Sequence, residues 1–155
     1  MKLSPLQLEH SFVAESHVTA SREFDSTKPA DVRADEIIVA TDIKPIGEDR
    51  RWEVTLRVQF TPGSGVNTPY FFTLELVGFF RVETSYLEDR VQRLIQTNGP
   101  SLLFGIAREV LRNLTAHGPH PPMILPTASF VLDHKSPVQI AESSAEAVPE
   151  PARQQ

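Results

Sequence analysis

The chain has 155 residues, 40% of them apolar and 23% charged, with no cysteine and a formal net charge of −5. That length suits one domain, able to bury roughly 70% of the surface its unfolded chain exposes. The composition excludes a disulfide scaffold, a thiolate metal site and a cysteine nucleophile, and the acidic balance argues against a nucleic-acid partner, whose phosphates call for cationic groups.

No apolar run reaches the ~18 residues of a bilayer-spanning helix, and Met1 to Pro5 lacks the apolar core of a secretory signal. A cytoplasmic protein with no membrane insertion is therefore expected. Acidity concentrates early: residues 1–49 hold ten acids and five bases, against seven and nine in residues 50–135. Such a field could steer a basic partner, although a solvated face explains it as well.

In chain order, Leu6 to Val13 and Ile37 to Ile43 read as strands. The clearest element follows, because Trp52, Val54, Leu56, Val58 and Phe60 alternate with Arg51, Glu53, Thr55, Arg57 and Gln59. That pattern specifies a half-buried antiparallel strand. Pro62, Gly63, Ser64 and Gly65 supply turn chemistry, and Pro69 to Val82 resumes as a second hairpin strand. This strand is apolar on both faces: Tyr70, Phe72, Leu74, Leu76, Phe80 and Val82 on one, Phe71, Val77 and Phe79 on the other. A single sheet has one core to offer, so a helix, another subunit or a bound chain must cover the second face.

Two helices are predicted next. Ser85 and Glu88 have capping-box spacing, Leu87, Val91, Leu94 and Ile95 form a stripe, and Asn98-Gly99-Pro100 reads as a stop. Ser101 then caps a second helix bearing Leu103, Ile106, Ala107, Val110, Leu111 and Leu114, which Gly118-Pro119 ends. Strands followed by helices define an α+β fold. Residues 1–135 make the domain. Residues 136–155, an acidic and proline-rich tail of small polar groups, are expected to be disordered because they cannot offset their ordering entropy.

The search for chemistry finds little. His117 and His120 straddle Gly118-Pro119 without a fixed third ligand, and His134 stands beside Asp133, so no metal is assigned. No nucleophile elbow or H-E-x-x-H signature is present. The Gly63–Gly65 turn leads into a strand and so is no phosphate loop. Arg108 and Arg112 could grip an anion but read as solvated charges on a helix. No catalytic residue and no cofactor is expected. What stands out is an aromatic surplus, nine phenylalanines with four between Phe71 and Phe80, of a kind suited to contact with partner chains.

The run from Pro100 to Glu109, P-S-L-L-F-G-I-A-R-E, resembles the C-P-x-x-L-F-P-Y-A-R-E segment of the SecB family of export chaperones. Further likenesses keep the same order: the Trp-Glu-Val-x-Leu-x-Val strand from Trp52 to Val58, Gly78 to Phe80, and Gly118-x-x-Pro-Pro leading to Leu125 and Phe130. The resemblance implies a four-stranded antiparallel sheet with two or three helices, assembled as a dimer of dimers. It also implies an ATP-independent holdase that keeps unfolded preproteins extended for the translocase motor SecA. Carried over by position, Phe12, Ile38, Ile106, Val110 and Leu114 would line the client groove, and Phe72, Leu74 and Leu76 would meet a neighbouring subunit. Glu15, Phe71 and Thr73 would fall at the SecA contact. There, however, only Glu15 keeps an acid, since Thr19 and Thr73 stand where the family has carboxylates and Phe71 replaces a leucine. Gly105-Ile106 replaces the family's Pro-Tyr. These departures motivate an alternative, a module of the same fold dedicated to one partner such as an antitoxin, a phage protein or a secretion protein, with no SecA docking.

Overall fold

The computed structural model describes residues 3–47 and 49–131. The proposed tail at 136–155 and His134 lie outside the described residues. Four strands, β1 (Leu6–Ala20), β2 (Ile37–Ile46), β3 (Arg51–Phe60) and β4 (Tyr70–Val82), precede one long helix, α1 (Glu88–Ala116). A short 3-10 turn, Ala34–Glu36, leads into β2. The sheet is antiparallel in the order β1-β4-β3-β2, so the two-faced strand β4 and the alternating strand β3 are central and the more polar β1 and β2 are the edges.

The inward faces of β3 and β4 are sealed. Val54, Leu56, Val58, Phe60, Phe72, Leu74, Leu76 and Phe80 pack with Val91, Ile95, Leu103, Ala107 and Leu111 of α1. At ~25 cal/mol per Å² of apolar surface, this single layer of helix on sheet is the main favourable term of the fold. It also corrects the interface expectation. Phe72 is 2% exposed and Leu74 and Leu76 are wholly buried by the chain's own helix, so these three residues have no surface left for a second subunit.

The expected break between two helices is absent. α1 runs straight through Asn98-Gly99-Pro100, with Pro100 inside it. A mid-helix proline forfeits a hydrogen bond and costs ~3 kcal/mol, which is offset because the surrounding turns are core: Ile95, Leu103 and Leu111 are fully buried. Gly99 serves close approach, since a Cβ there would meet Val54 Cγ2 at 3.1 Å. Ser101, expected as a cap, sits within the helix and donates to Thr97 O at 2.7 Å.

The helix start also differs. Leu87 occupies the N-cap position without a side-chain cap, so the Ser85 and Glu88 box does not form. Arg50 fixes the junction instead: its Nη1 donates to the carbonyls of Glu83 (2.9 Å), Thr84 (3.1 Å) and Tyr86 (2.9 Å), and its Nη2 pairs with Glu88. After α1, residues 118–131 run without regular structure back along the helix, burying Met123 and Leu125 in the core.

Candidate functional site

Two apolar surfaces remain uncovered. The first is a flank of α1. Ile106, Val110 and Leu114 recur every four residues, which at 3.6 residues per turn aligns them beside the buried row Leu103, Ala107 and Leu111. Ile106 and Val110 are half-buried and Leu114 is 43% exposed. Leu114 shares a cleft of about 320 Å³ with Ser16, Val18 and Ala20 of β1 and with His117 and Pro119. Val13, also exposed, lies further along the helix-facing side of the same strand. The result is a cleft between an edge strand and the end of the helix, with Val18, Leu114 and Pro119 set beside the polar Ser16 and His117.

The second surface is the sheet face away from α1. Two bulges in β1, between Leu8 and His10 and between Val13 and Glu15, shift its register against β4. Leu8 opposes the helix-facing Phe80, whereas His10 and Phe12 oppose Phe79 and Val77 on the open side. His10, Phe12 and Phe79 gather there with ring centroids 6.0 to 6.3 Å apart. Phe71 and Thr73 follow on the same face, opposite Thr19 and His17. Ile38, 64% exposed, lies across the sheet on edge strand β2 opposite Gln59.

The structure therefore divides the five expected groove residues. Ile106, Val110 and Leu114 form one stripe on the helix flank, while Phe12 and Ile38 occupy the opposite side of the sheet. Glu15, Phe71 and Thr73 do come together on the open face. Arg57, though, lies between two carboxylates, 3.4 Å from Glu15 and 3.2 Å from Glu75. Nearby, Glu9 bridges Arg51 at 3.4 Å and Arg81 at 2.5 Å. The open face thus presents an aromatic centre between two ion-pair clusters of opposite sign, one with an excess carboxylate at Glu15 and Glu75 and one with an excess guanidinium at Arg51 and Arg81.

Of the remaining sequence candidates, His117 lines the cleft, and His120, Arg108 and Arg112 have structural partners. His120 Nε2 donates to Ser21 O at 2.8 Å, which sets its tautomer, and its ring packs edge-on against Tyr70 and Phe24. Arg108 donates to Leu125 O at 3.1 Å and Arg112 pairs with Glu109 at 3.3 Å. Among the described residues no cluster of three His, Asp or Glu is placed to hold a metal, and no helix is long and apolar enough to cross a membrane.

Sequence reasoning missed Arg50 and Tyr70. Three long-range acceptors for one guanidinium leave no local pattern. A tyrosine in an aromatic strand gives no sign that its hydroxyl will meet a loop fifty residues away.

Known structures supply the class. The fold matches a Mycobacterium tuberculosis SecB-like chaperone, solved in complex with a ChAD peptide from the HigA1 antitoxin, at a TM-score of 0.53 and 14% identity over 80% of this chain and 91% of that one. A Streptococcus agalactiae protein of unknown function matches at 0.50 and 12%, over 78% and 96%. At these identities the likeness is one of fold, and the fold is SecB-like.

The family follows from sequence. The model of the preprotein translocase subunit SecB matches residues 13–136, and the chain belongs to the SecB family. It is 33% identical over 86 residues to the protein-export protein SecB of Rhodopseudomonas palustris strain TIE-1, covering 56% of this chain and 54% of that protein. To the protein of the same name from Methylococcus capsulatus it is 30% identical over 95 residues, 61% of each. The chain spans about half the length of the curated relatives it matches.

Proposed function

We propose that the protein is a cytoplasmic, ATP-independent holdase that binds unfolded preproteins in extended form. The observation that carries this reading is the helix stripe of half-buried Ile106 and Val110 and exposed Leu114, which ends in the cleft that Leu114 shares with Val18 and Ala20 of β1. Apolar side chains run along the helix stripe and into the cleft beside Ser16 and His117, so binding would come chiefly from burial at ~25 cal/mol per Å² along a wrapped chain, tolerant of sequence. Phe12 and Ile38, on the other side of the sheet, would extend the path of a long client around the edge strands. No catalytic step and no cofactor belong to this function.

The experiment is suppression of aggregation of a reduced, unfolded substrate at stoichiometric ratio without nucleotide. Val110→Asp combined with Leu114→Asp should abolish suppression while circular dichroism stays unchanged. Full suppression by that variant would remove the stripe and cleft from the reading. Self-association into a dimer or dimer of dimers belongs to the same proposal, and the unpaired outer edge of the fifteen-residue β1 is its natural surface. Solution mass measures it directly.

Delivery to SecA is the finer part of the proposal and uses Glu15, Phe71 and Thr73 on the open face. Arg57, close to both Glu15 and Glu75, weakens the attraction that face can exert on a cationic tail. That observation favours the second reading, a module holding one dedicated partner. The peptide-bound state of the mycobacterial neighbour is compatible with it. Capture from lysate separates the two, because a general holdase retains many unfolded chains and a dedicated module essentially one.

A further inference from the structure

The other flank of α1 is covered, and the way it is covered is informative. Residues 119–131 lie along Phe104, Arg108, Leu111 and Thr115, the side opposite to Ile106 and Val110. Among the described residues this strap makes no hydrogen bond from its backbone to another backbone group. It is held by side chains of the body. Tyr70 Oη lies 2.8 Å from His120 O and accepts from His120 N at 3.1 Å. Thr115 Oγ1 accepts from Met123 N at 2.9 Å, and Arg108 Nε donates to Leu125 O at 3.1 Å.

Apart from the His120 ring, which reaches Ser21 O, the strap contributes only peptide groups to these bonds, and any polypeptide carries those. Its specific share is apolar: Met123 and Leu125 point inward, Ile124 outward, and Phe130 packs edge-on against Phe104 at 5.7 Å. Pro121, Pro122 and Pro126 keep the backbone extended and remove amides that would otherwise want partners. In short, the body binds its own strap as an extended chain with alternating apolar side chains, through generic backbone contacts.

We infer that the flank beneath residues 119–131 is a second polypeptide-binding surface, and that the strap is its built-in occupant, displaced by an extended client with apolar residues two apart. The inference rests on the holdase reading and deepens it. A strap that competes with clients lowers their apparent affinity by the fraction of time it vacates the surface. Weakening the strap while leaving the body untouched should therefore tighten client binding, whereas a strap that is merely core would loosen it.

The test uses the full chain and a permanently unfolded probe, a reduced and carboxymethylated protein. In the absence of the probe the Met123 amide is expected to be protected from hydrogen exchange. At saturating probe its exchange should accelerate at least about tenfold, as local opening becomes the dominant state. Leu125→Ala should bind the probe roughly threefold to tenfold more tightly than the parent chain. Pro126→Gly, which leaves every inward side chain in place, should shift affinity in the same direction and stands in if the first variant fails to fold. Unchanged Met123 exchange on probe binding, or weaker binding by these variants, overturns the inference while leaving the holdase reading intact. No probe binding by the parent chain removes both.

Discussion

The two faces of the central strand β4 carry comparable aromatic content and meet opposite fates. On one, Tyr70, Phe72, Leu74, Leu76 and Phe80 disappear beneath α1. On the other, Phe71, Val77 and Phe79 stay half-buried beside the exposed Phe12. Hydrophobicity alone does not separate stability from recognition here. What separates them is whether an element lies over the surface, and among the described residues α1 covers one face only.

Breaking the closed face should have the largest effect. Leu74→Ala is expected to cost about 2–5 kcal/mol, the range for emptying a packed leucine site. Phe79→Ala on the open face should cost about 1 kcal/mol and leave folding cooperative; urea midpoints of the two variants measure the contrast. The strap junction comes second. A Cβ on Gly118 would clash with Tyr70 Oη, so Gly118→Ala should destabilise by about 1–3 kcal/mol. That cost should shrink in a Tyr70→Phe background, and a double-mutant cycle reads the coupling.

Smaller effects sharpen the electrostatic side of the comparison. Arg57→Ala leaves Glu15 and Glu75 facing each other, yet the pairs are partly solvated, so stability should change by no more than about 1 kcal/mol. The same variant should bind a cationic peptide more tightly, with a gain that fades as salt rises. The smallest effect lies in the β1–β2 connection. The Thr27 hydroxyl, then the Thr27 amide, then Lys28 hold the Asp25 carboxyl below the ordinary carboxylate value. Because the folded value is the lower one, its contribution is complete above the ordinary value and is lost as pH falls through the folded one. The Thr27 amide resonance should report that titration, and Asp25→Asn should abolish it.

Much of this could be read before any coordinates. The alternation from Trp52 to Phe60 set β3 and its inward face, and the turn residues after it set the hairpin. The stripe of Ile106, Val110 and Leu114 was visible as helical spacing. Other features were not local. β1 continues to Ala20 through His17 and Thr19, where an exposed edge shows no apolar pattern and backbone pairing to β4 decides the length. Asn98-Gly99-Pro100 carries every local sign of a helix end, but burial of the turns on both sides overrides it.

The site divides along the same line. Leu6, Leu8, His10 and Phe12 share parity and would share a face in an ideal strand. The bulge after Leu8 sends His10 and Phe12 to the other side, which is why Phe12 left the company of the helix residues it was grouped with. The sequence by itself determined which segments would be strand or helix and that β4 had apolar surface to spare, because periodicity and side-chain chemistry are local properties. Only the tertiary structure decided which face the helix would close, which flank the strap would fill and which stayed open, because those outcomes depend on register, bulges and long-range contacts that no local pattern encodes.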